Sequence, residues 1–178
     1  MLERVLIAGS GGQGVILAGR IVASAAMRSV PHVTFFPSYG AEVRGGTSNC
    51  QTVLSTDEIH SPLPSRVDSM IVMNQPSMER YRKMLVRGGL MIENSTLCGR
   101  PPGATAAISV PATEMAEYLG SIRAANMILL GVYLRRKKLI PVEDVESEIR
   151  SAFVGKDDSL LKINIEAFHA GLAYDRSP

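Results

Sequence analysis

Short apolar runs alternate with amphipathic stretches along most of this chain of 178 residues. The runs predict buried strands, and apolar residues spaced three and four positions apart predict helices. Strands are predicted at residues 2–8, 32–36, 49–55, 68–73, 90–92 and 105–110. Helices are predicted at residues 11–28, 76–85, 113–119, 124–136, 142–152 and 160–173, and a turn is predicted at Gly88-Gly89.

Strands and helices alternate through the first two-thirds of the chain, and helices dominate the last third. This order is typical of an α/β fold, a mostly parallel sheet with helices on both faces in a Rossmann-like three-layer sandwich. Residues 1–178 contain no repeat and no linker, so a single domain is predicted. Ligands of open sheets bind beyond the carboxyl ends of the strands. Loops 9–14, 38–47, 74–75 and 94–95 all follow predicted strands, and we expect them at one edge.

A glycine-rich turn, Gly9-Ser10-Gly11-Gly12-Gln13-Gly14, follows the first predicted strand. Such a turn aims backbone N–H groups and the positive end of a helix dipole at one point, which suits a phosphate. Four glycines in six positions exceed what packing needs, and Gln13 adds an amide at the helix start. The alternative is that the glycines only shape the turn and let the helix pack closely, with nothing bound.

The same region argues against a nicotinamide site. A dinucleotide-binding unit of this type has an acidic residue about 20 positions after the glycines, which holds a ribose hydroxyl. The first carboxylate after this turn is Glu42.

The segment 37–46 lacks apolar periodicity and is the second candidate site. Its polar residues and glycines include Ser38, Tyr39, Glu42, Arg44, Gly45 and Gly46. A loop of this kind is typically functional or partly disordered. Arg44 could bind a phosphate or carboxylate through two parallel hydrogen bonds, or pair with Glu42 on the surface for only about 0–1 kcal/mol. We favour a functional loop, because its glycines let the backbone approach a ligand or partner closely.

Asn126 is a third candidate, because it is a polar residue inside the apolar helix predicted at residues 124–136. A buried amide needs hydrogen-bond partners. Asn126 therefore either ties down a neighbouring loop or reaches a ligand, and both interpretations remain open.

Composition narrows the function classes. The net charge of +2, from 19 basic and 17 acidic residues, is too balanced to indicate nucleic acid or a membrane surface as partner. No apolar run approaches the roughly 18 residues of a membrane span. Cys50 and Cys98 are the two cysteines, and without a signal peptide they indicate a reduced, cytoplasmic protein. Neither these thiols nor the three histidines have metal-ligand spacing, so no metal site is predicted.

The motifs together are similar to a known family. Residues 9–15, residues 37–46, the pattern Ala125-Asn126-Met127 before Leu130-Gly131, and Asn164 before Ala167-Phe168 carry the resemblance. The chain resembles the γ subunit of the 2-oxoacid:ferredoxin oxidoreductases, the pyruvate:ferredoxin oxidoreductase catalytic domain III family. Within it, the 2-oxoglutarate and 2-oxoisovalerate types are the most similar, and the β subunit of indolepyruvate:ferredoxin oxidoreductase also resembles it.

The resemblance implies a subunit of an enzyme that decarboxylates a 2-oxoacid, with 2-oxoglutarate favoured. Thiamine diphosphate, Mg²⁺ and 4Fe-4S clusters would serve the complex, which reduces ferredoxin and releases an acyl-coenzyme A. The implied partners are α and β subunits, and also a ferredoxin-like δ subunit where the complex includes one. This chain would hold no cofactor alone, since two cysteines are too few for a cluster of about four thiolates. A Gly-Asp-Gly segment with a distant Asn pair, the usual thiamine diphosphate–magnesium pattern, is also missing.

In this interpretation the glycine turn, residues 38–46 and Asn126 form an active-site edge that contacts coenzyme A or substrate, and no residue is assigned a catalytic role. Two other classes remain open. One is a free-standing nucleotide-binding α/β oxidoreductase. The other is an architectural subunit whose glycine turn contacts a neighbouring chain and binds no ligand.

Overall fold

The computed structural model describes residues 1–38, 47–99 and 107–175. The strands are β1 (Leu2–Ser10), β2 (His32–Ser38), β3 (Thr47–Ser55), β4 (Val67–Val72), β5 (Leu85–Asn94) and β6 (Ala107–Val110). The helices are α1 (Val15–Ala26), α2 (Gln75–Tyr81), α3 (Ala112–Tyr118), α4 (Ala125–Lys137), α5 (Val142–Ala152) and α6 (Asp158–Ala173). Two single 3₁₀ turns lie at Arg82–Met84 and Ile122–Ala124.

The described strands form one six-stranded sheet in the order β2-β3-β1-β4-β5-β6. Strand β1 pairs in parallel with β4, β4 with β5, and β5 with β6, which confirms the predicted mostly parallel sheet. Strand β3 is antiparallel to both β1 and β2, so β3 alone is reversed among these strands. The start of β3 therefore meets the carboxyl ends of β1, β2, β4 and β5 at one edge, here called the carboxyl edge. The predicted gathering of strand ends is confirmed.

Helices cover both faces unequally. Helices α1 and α3–α6 contribute to the larger core on one face, and α2 covers a smaller core on the other. Helix α4 is the centre of the larger layer, because the ten consecutive residues from Ala125 to Leu134 are all buried. A helix that is apolar all round needs neighbours on every side. Helices α1, α3 and α6 and strands β4 and β5 supply them.

Helix α6 approaches α4 so closely that the two backbones touch. A Cβ atom added to Gly131 would lie 2.2 Å from the carbonyl oxygen of Phe168, and one added to Gly171 would lie 2.0 Å from that of Ile128. Both obstacles are backbone atoms, which cannot rotate away as a side chain can. The crossing therefore requires glycine on both helices.

Two predictions next to β5 were wrong. The helix predicted at residues 76–85 ends at Tyr81, because a 3₁₀ turn follows and Leu85 already begins β5. The turn predicted at Gly88-Gly89 lies inside β5, where the pairing with β4 shifts register and Gly88 has a φ of 77°. The glycines serve an irregularity within the strand, since a bulge needs the same backbone freedom as a turn.

Charged side chains form hydrogen bonds and ion pairs at the opposite edge of the sheet. Arg4 donates two hydrogen bonds to the Asp68 carboxylate, each of 2.8 Å. The buried Glu3 carboxylate accepts from Ser69 Oγ at 2.6 Å and from Lys137 Nζ at 3.0 Å. Lys137 is the last residue of α4, so this ion pair joins the end of the central helix to β1.

We expect Gly131→Ala to lower the free energy of unfolding by about 2–3 kcal/mol, because the added methyl group must push two helices apart. The control is Gly99→Ala, whose Cβ would meet nothing nearer than Gln75 Oε1 at 3.7 Å. That control should change stability by less than about 0.5 kcal/mol. Urea unfolding measures both, and equal midpoints for the two variants would contradict the close crossing.

We expect Asp68→Asn to reduce stability at neutral pH by about 1–2 kcal/mol. The hydrogen bond from Arg4 is the main cause that lowers the pKa of the Asp68 carboxyl. A lowered pKa stabilises the protein above the unfolded-state pKa of about 4 and loses this contribution as the pH falls through the folded-state pKa. The difference between wild type and variant should therefore shrink below about pH 4. Asp175→Asn is the control, because Asp175 pairs with Arg135 but is 73% exposed. A stability difference between wild type and Asp68→Asn that does not change with pH would refute this assignment.

Candidate functional site

The turn between β1 and α1 has a backbone that glycine adopts readily. Gly12 and Gly14 have φ angles of 92° and 72°, where a side chain costs about 1–2 kcal/mol. These angles explain why α1 begins at Val15 and not at the predicted residue 11. No side chain caps this helix start. The first N–H groups of α1 therefore remain available to a ligand.

The side-chain amide of Gln13 forms hydrogen bonds within the protein. Its Oε1 accepts hydrogen bonds from Ser10 N at 2.8 Å, from Ser10 Oγ at 3.0 Å and from Asn74 Nδ2 at 3.3 Å. Its Nε2 donates to the Met73 carbonyl oxygen at 3.3 Å. Gln13 therefore holds the turn against the end of β4.

Asn74 and Asn94 extend these contacts along the carboxyl edge. Asn74 Oδ1 accepts from Ser77 N at 3.0 Å and so caps α2. Asn94 is fully buried, and its Nδ2 donates to Thr113 Oγ1 at 2.8 Å and to the Met73 carbonyl oxygen at 3.5 Å. Gln13 and Asn94 thus donate to the same Met73 carbonyl oxygen, and Asn74 joins them through its hydrogen bond to Gln13 Oε1. We call Gln13, Asn74 and Asn94 the amide network.

Asn126 supports the same turn from α4. This side chain is 3% exposed, its Nδ2 donates to the Gly14 carbonyl oxygen at 3.1 Å, and its Oδ1 accepts from Met127 N at 2.9 Å. A Cβ on Gly14 would lie 2.3 Å from Asn126 Nδ2, so the amide packs directly on the glycine. Of the two interpretations of Asn126, the structure contains the contact that ties down a loop.

A cavity of about 340 Å³ opens in front of the turn. The glycines 11, 12 and 14 and the first residues of α1 form one wall. Four residues with hydroxyl side chains line it as well, namely Ser10, Ser38, Thr47 and Ser48. None of the lining residues that the structure describes is charged, and the apolar side chains of Val15, Ile16 and Leu17 line the cavity beside the hydroxyl residues. The uncapped backbone N–H groups of the helix start are the part of this wall that suits an anion such as a phosphate.

The candidate residues separate into three groups. Gly11, Gly12, Gly14 and Ser38 line the cavity. Gly9 lies beneath it, where a Cβ would be 3.0 Å from Met73 Cβ, and Gln13 and Asn126 hold the turn from behind. Tyr39, Glu42, Arg44, Gly45 and Gly46 lie outside the described residues.

The residues that the sequence analysis did not select are the cavity hydroxyls of Ser10, Thr47 and Ser48 and the amides of Asn74 and Asn94. Only the position of these residues in the sequence could have indicated them, because each lies at or beside the end of a strand. Thr47 ends the loop 38–47 that was expected at this edge, whereas Ser48 could be placed there only from the pairing of Gly9 with Ser48, which depends on the reversed direction of β3.

The two cysteines do not form a site. Burial raises the pKa of both the Cys50 and the Cys98 thiol to about 12. Cys50 belongs to the larger core and Cys98 to the smaller one, on opposite faces of the sheet. Across the described ranges, no three His, Cys, Asp or Glu side chains converge as a metal site would need. Within those ranges, no helix has the length and apolar character required to cross a membrane.

Comparison with known proteins gives one family. The family described as pyruvate ferredoxin/flavodoxin oxidoreductase matches residues 4–174. The ketoisovalerate oxidoreductase subunit VorA of Methanothermobacter thermautotrophicus is 36% identical over 174 residues, which are 97% of this chain and 36% of that relative. The 2-oxoglutarate synthase subunit KorC of Methanothermobacter marburgensis is 32% identical over 181 residues, with 96% of this chain and 95% of the relative covered. The chain thus spans 36% of the VorA relatives and nearly all of this KorC.

Solved structures share the fold. The γ subunit of a keto/oxoacid ferredoxin oxidoreductase from Geobacter sulfurreducens superimposes with a TM-score of 0.79 at 26% identity, over 95% of both chains. A 2-oxoglutarate:ferredoxin oxidoreductase from Magnetococcus marinus, with 2-oxoglutarate, coenzyme A and succinyl-CoA bound, has a TM-score of 0.86. It is 23% identical, and the match covers 97% of this chain and 30% of that one. The second likeness concerns the fold alone.

We expect Asn126→Ala to destabilise the protein by about 1–2 kcal/mol and to loosen the glycine turn. The control is Asn164→Ala, since Asn164 Nδ2 donates to the Leu160 carbonyl oxygen at 2.7 Å within α6. Asn126→Ala loses two side-chain hydrogen bonds and Asn164→Ala loses one, but only the first variant removes a contact with the turn, so only it should speed amide hydrogen exchange at residues 12–14. The supporting role of Asn126 would be disproved by equal exchange rates in the two variants.

Proposed function

This chain belongs to the pyruvate ferredoxin/flavodoxin oxidoreductase family, and from that premise we propose that it is the γ component of a 2-oxoacid:ferredoxin oxidoreductase. The whole enzyme would oxidatively decarboxylate a 2-oxoacid, transfer the acyl group to coenzyme A and reduce ferredoxin. This chain would shape the coenzyme A region and the assembly. The names of the VorA and KorC relatives support 2-oxoisovalerate and 2-oxoglutarate as the candidate substrates.

The observation that carries this proposal is the cavity in front of the glycine turn. Its wall contains the uncapped N–H groups of α1 and the hydroxyl residues Ser38, Thr47 and Ser48, and none of its described residues is charged. Coenzyme A presents phosphate groups, which such donors bind without the cost of displacing a competing carboxylate. We propose that the cavity takes a phosphate of coenzyme A.

The redox centres are proposed to lie on partner polypeptides. A 4Fe-4S cluster takes about four cysteine thiolates, whereas this chain has two cysteines in all. The two thiols face opposite sides of the sheet and are held protonated by burial. Thiamine diphosphate, Mg²⁺ and the clusters are therefore assigned to the α and β subunits, and to a ferredoxin-like δ subunit where one is present.

Anaerobic purification of the tagged chain from its native cell tests the assembly. The expected result is a brown complex with thiamine diphosphate and iron–sulfur polypeptides. Dye reduction is then compared with 2-oxoglutarate, 2-oxoisovalerate and indolepyruvate, with and without coenzyme A. Coenzyme A-dependent turnover of one acid identifies the substrate. A colourless chain that elutes alone and binds NAD(P)H saturably would instead establish a free-standing nucleotide-binding protein.

We expect Gly12→Ala to raise the KM for coenzyme A at least tenfold in the assembled complex, because the methyl group enters the phosphate-binding part of the cavity. A Cβ at Gly12 meets no atom within 4 Å, so no neighbouring group obstructs the methyl group. The matched control is Gly155→Ala, at a position with a φ of 74° and equally open surroundings between α5 and α6. Both variants carry the same backbone strain of about 1–2 kcal/mol.

Equal melting temperatures with different KM values would therefore assign the effect to the cavity. Unchanged kinetics in Gly12→Ala would remove the turn from the coenzyme A site. Normal kinetics with impaired assembly would instead make the turn a subunit contact.

A further inference from the structure

Arg80 reaches the rim of the cavity from the opposite face of the sheet. It lies on α2, and its Nη1 donates to Thr47 Oγ1 at 2.7 Å. Its guanidinium carbon lies 5.4 Å from the ring centroid of Tyr81. The Tyr81 hydroxyl in turn accepts from Asn49 Nδ2 at 2.9 Å. The Arg80 side chain is exposed to solvent, yet it is held between a ring and the first residue of β3.

The charge of Arg80 is not neutralised by a described carboxylate. Arg4, Arg28 and Arg135 each form an ion pair with an Asp or Glu, and Arg80 forms none with the residues that the structure places. A guanidinium has five N–H donors, and the contact with Thr47 uses one of them. Within the described residues, Arg80 therefore presents a positive group without a carboxylate partner next to a residue that lines the cavity.

The Thr47 hydroxyl gains from this contact. A guanidinium only donates hydrogen bonds, so Thr47 Oγ1 must act as the acceptor toward Arg80. The Thr47 proton is then free to donate to another group, and Thr47 lines the cavity. A hydroxyl whose oxygen accepts from a cation is a stronger donor, because adjoining hydrogen bonds polarise one another.

We infer that Arg80 and Thr47 form an anion-recognition pair, which binds a phosphate of the ligand at the mouth of the cavity. The inference rests on the proposed function and adds a specificity-determining residue to it. The pair would favour the phosphate-bearing end of a ligand over an uncharged end, since a guanidinium and a hydroxyl match phosphate oxygens in charge and geometry.

The test is equilibrium titration of the full chain with coenzyme A. We expect Arg80→Ala to weaken binding about tenfold, the equivalent of about 1.4 kcal/mol, and Thr47→Val to weaken it similarly. The double variant should lose little more than either single variant, because the two groups act together. Thr47→Ser retains the hydroxyl and should restore wild-type affinity. Arg82→Ala removes the same charge from the following 3₁₀ turn and should change affinity less than about twofold.

The outcomes separate the two proposals. Wild-type binding of coenzyme A with equal affinities for Arg80→Ala and Arg82→Ala would overturn the pair and leave the proposed function standing. If the wild type binds no coenzyme A, titration with inorganic pyrophosphate decides: Arg80-dependent binding retains the pair as an anion site and rejects its coenzyme A assignment. Absence of binding to both probes would overturn the pair. Unchanged melting temperatures across the variants are required for these comparisons.

Discussion

Backbone contact between α4 and α6 is the constraint on which the arrangement of this protein depends. Glycines at the crossing let α4 sink until its first ten residues are buried. One end of α4 then places Asn126 against Gly14, and the other end places Lys137 against the buried Glu3. The position of α4 therefore affects contacts at both edges of the sheet. The shape of the glycine turn follows from packing far behind it.

The carboxyl edge divides its polar groups between two tasks. The side-chain amides of the network and of Asn126 are spent on backbone and side-chain partners within the protein. The hydroxyls and the uncapped helix start face the cavity. Amides have both donors and acceptors and so can bridge strands. A hydroxyl can rotate about its bond to carbon, although Ser10 Oγ already donates to Gln13 and Thr47 Oγ1 already accepts from Arg80. The amides thus form a rigid frame, and the hydroxyl residues line the cavity in front of it.

Much of the fold could be predicted from the sequence, because each strand is a short apolar run and the long helices have clear periodicity. The gathering of the loops after β1, β4 and β5 followed from parallel pairing alone. The direction of β3 could not be predicted, since no local signal distinguishes a reversed strand from a parallel one. The cavity residue Ser48, near the start of β3, was missed for that reason.

The roles of the side-chain amides could not be predicted from the sequence either. Gln13 was interpreted as a possible ligand contact because its partners Ser10, Asn74 and Met73 are brought together only by the sheet. For Asn126 the sequence left two interpretations, and burial of α4 beside the turn produced the contact with Gly14. Periodicity reports which face of an element is apolar, but it does not report which polar groups find one another.

The burial of α4 on every side also bears on how the protein is made. The ribosome releases α4 before α6, yet α4 has no complete environment until α6 has emerged and docked against it. The apolar surface of α4 would stay uncovered during that interval, and exposed surface of this kind is what chaperones recognise. Strands β1, β3 and β4 lie within the first 72 residues. The strands beside the glycine turn are therefore synthesised before the two helices whose crossing supports it.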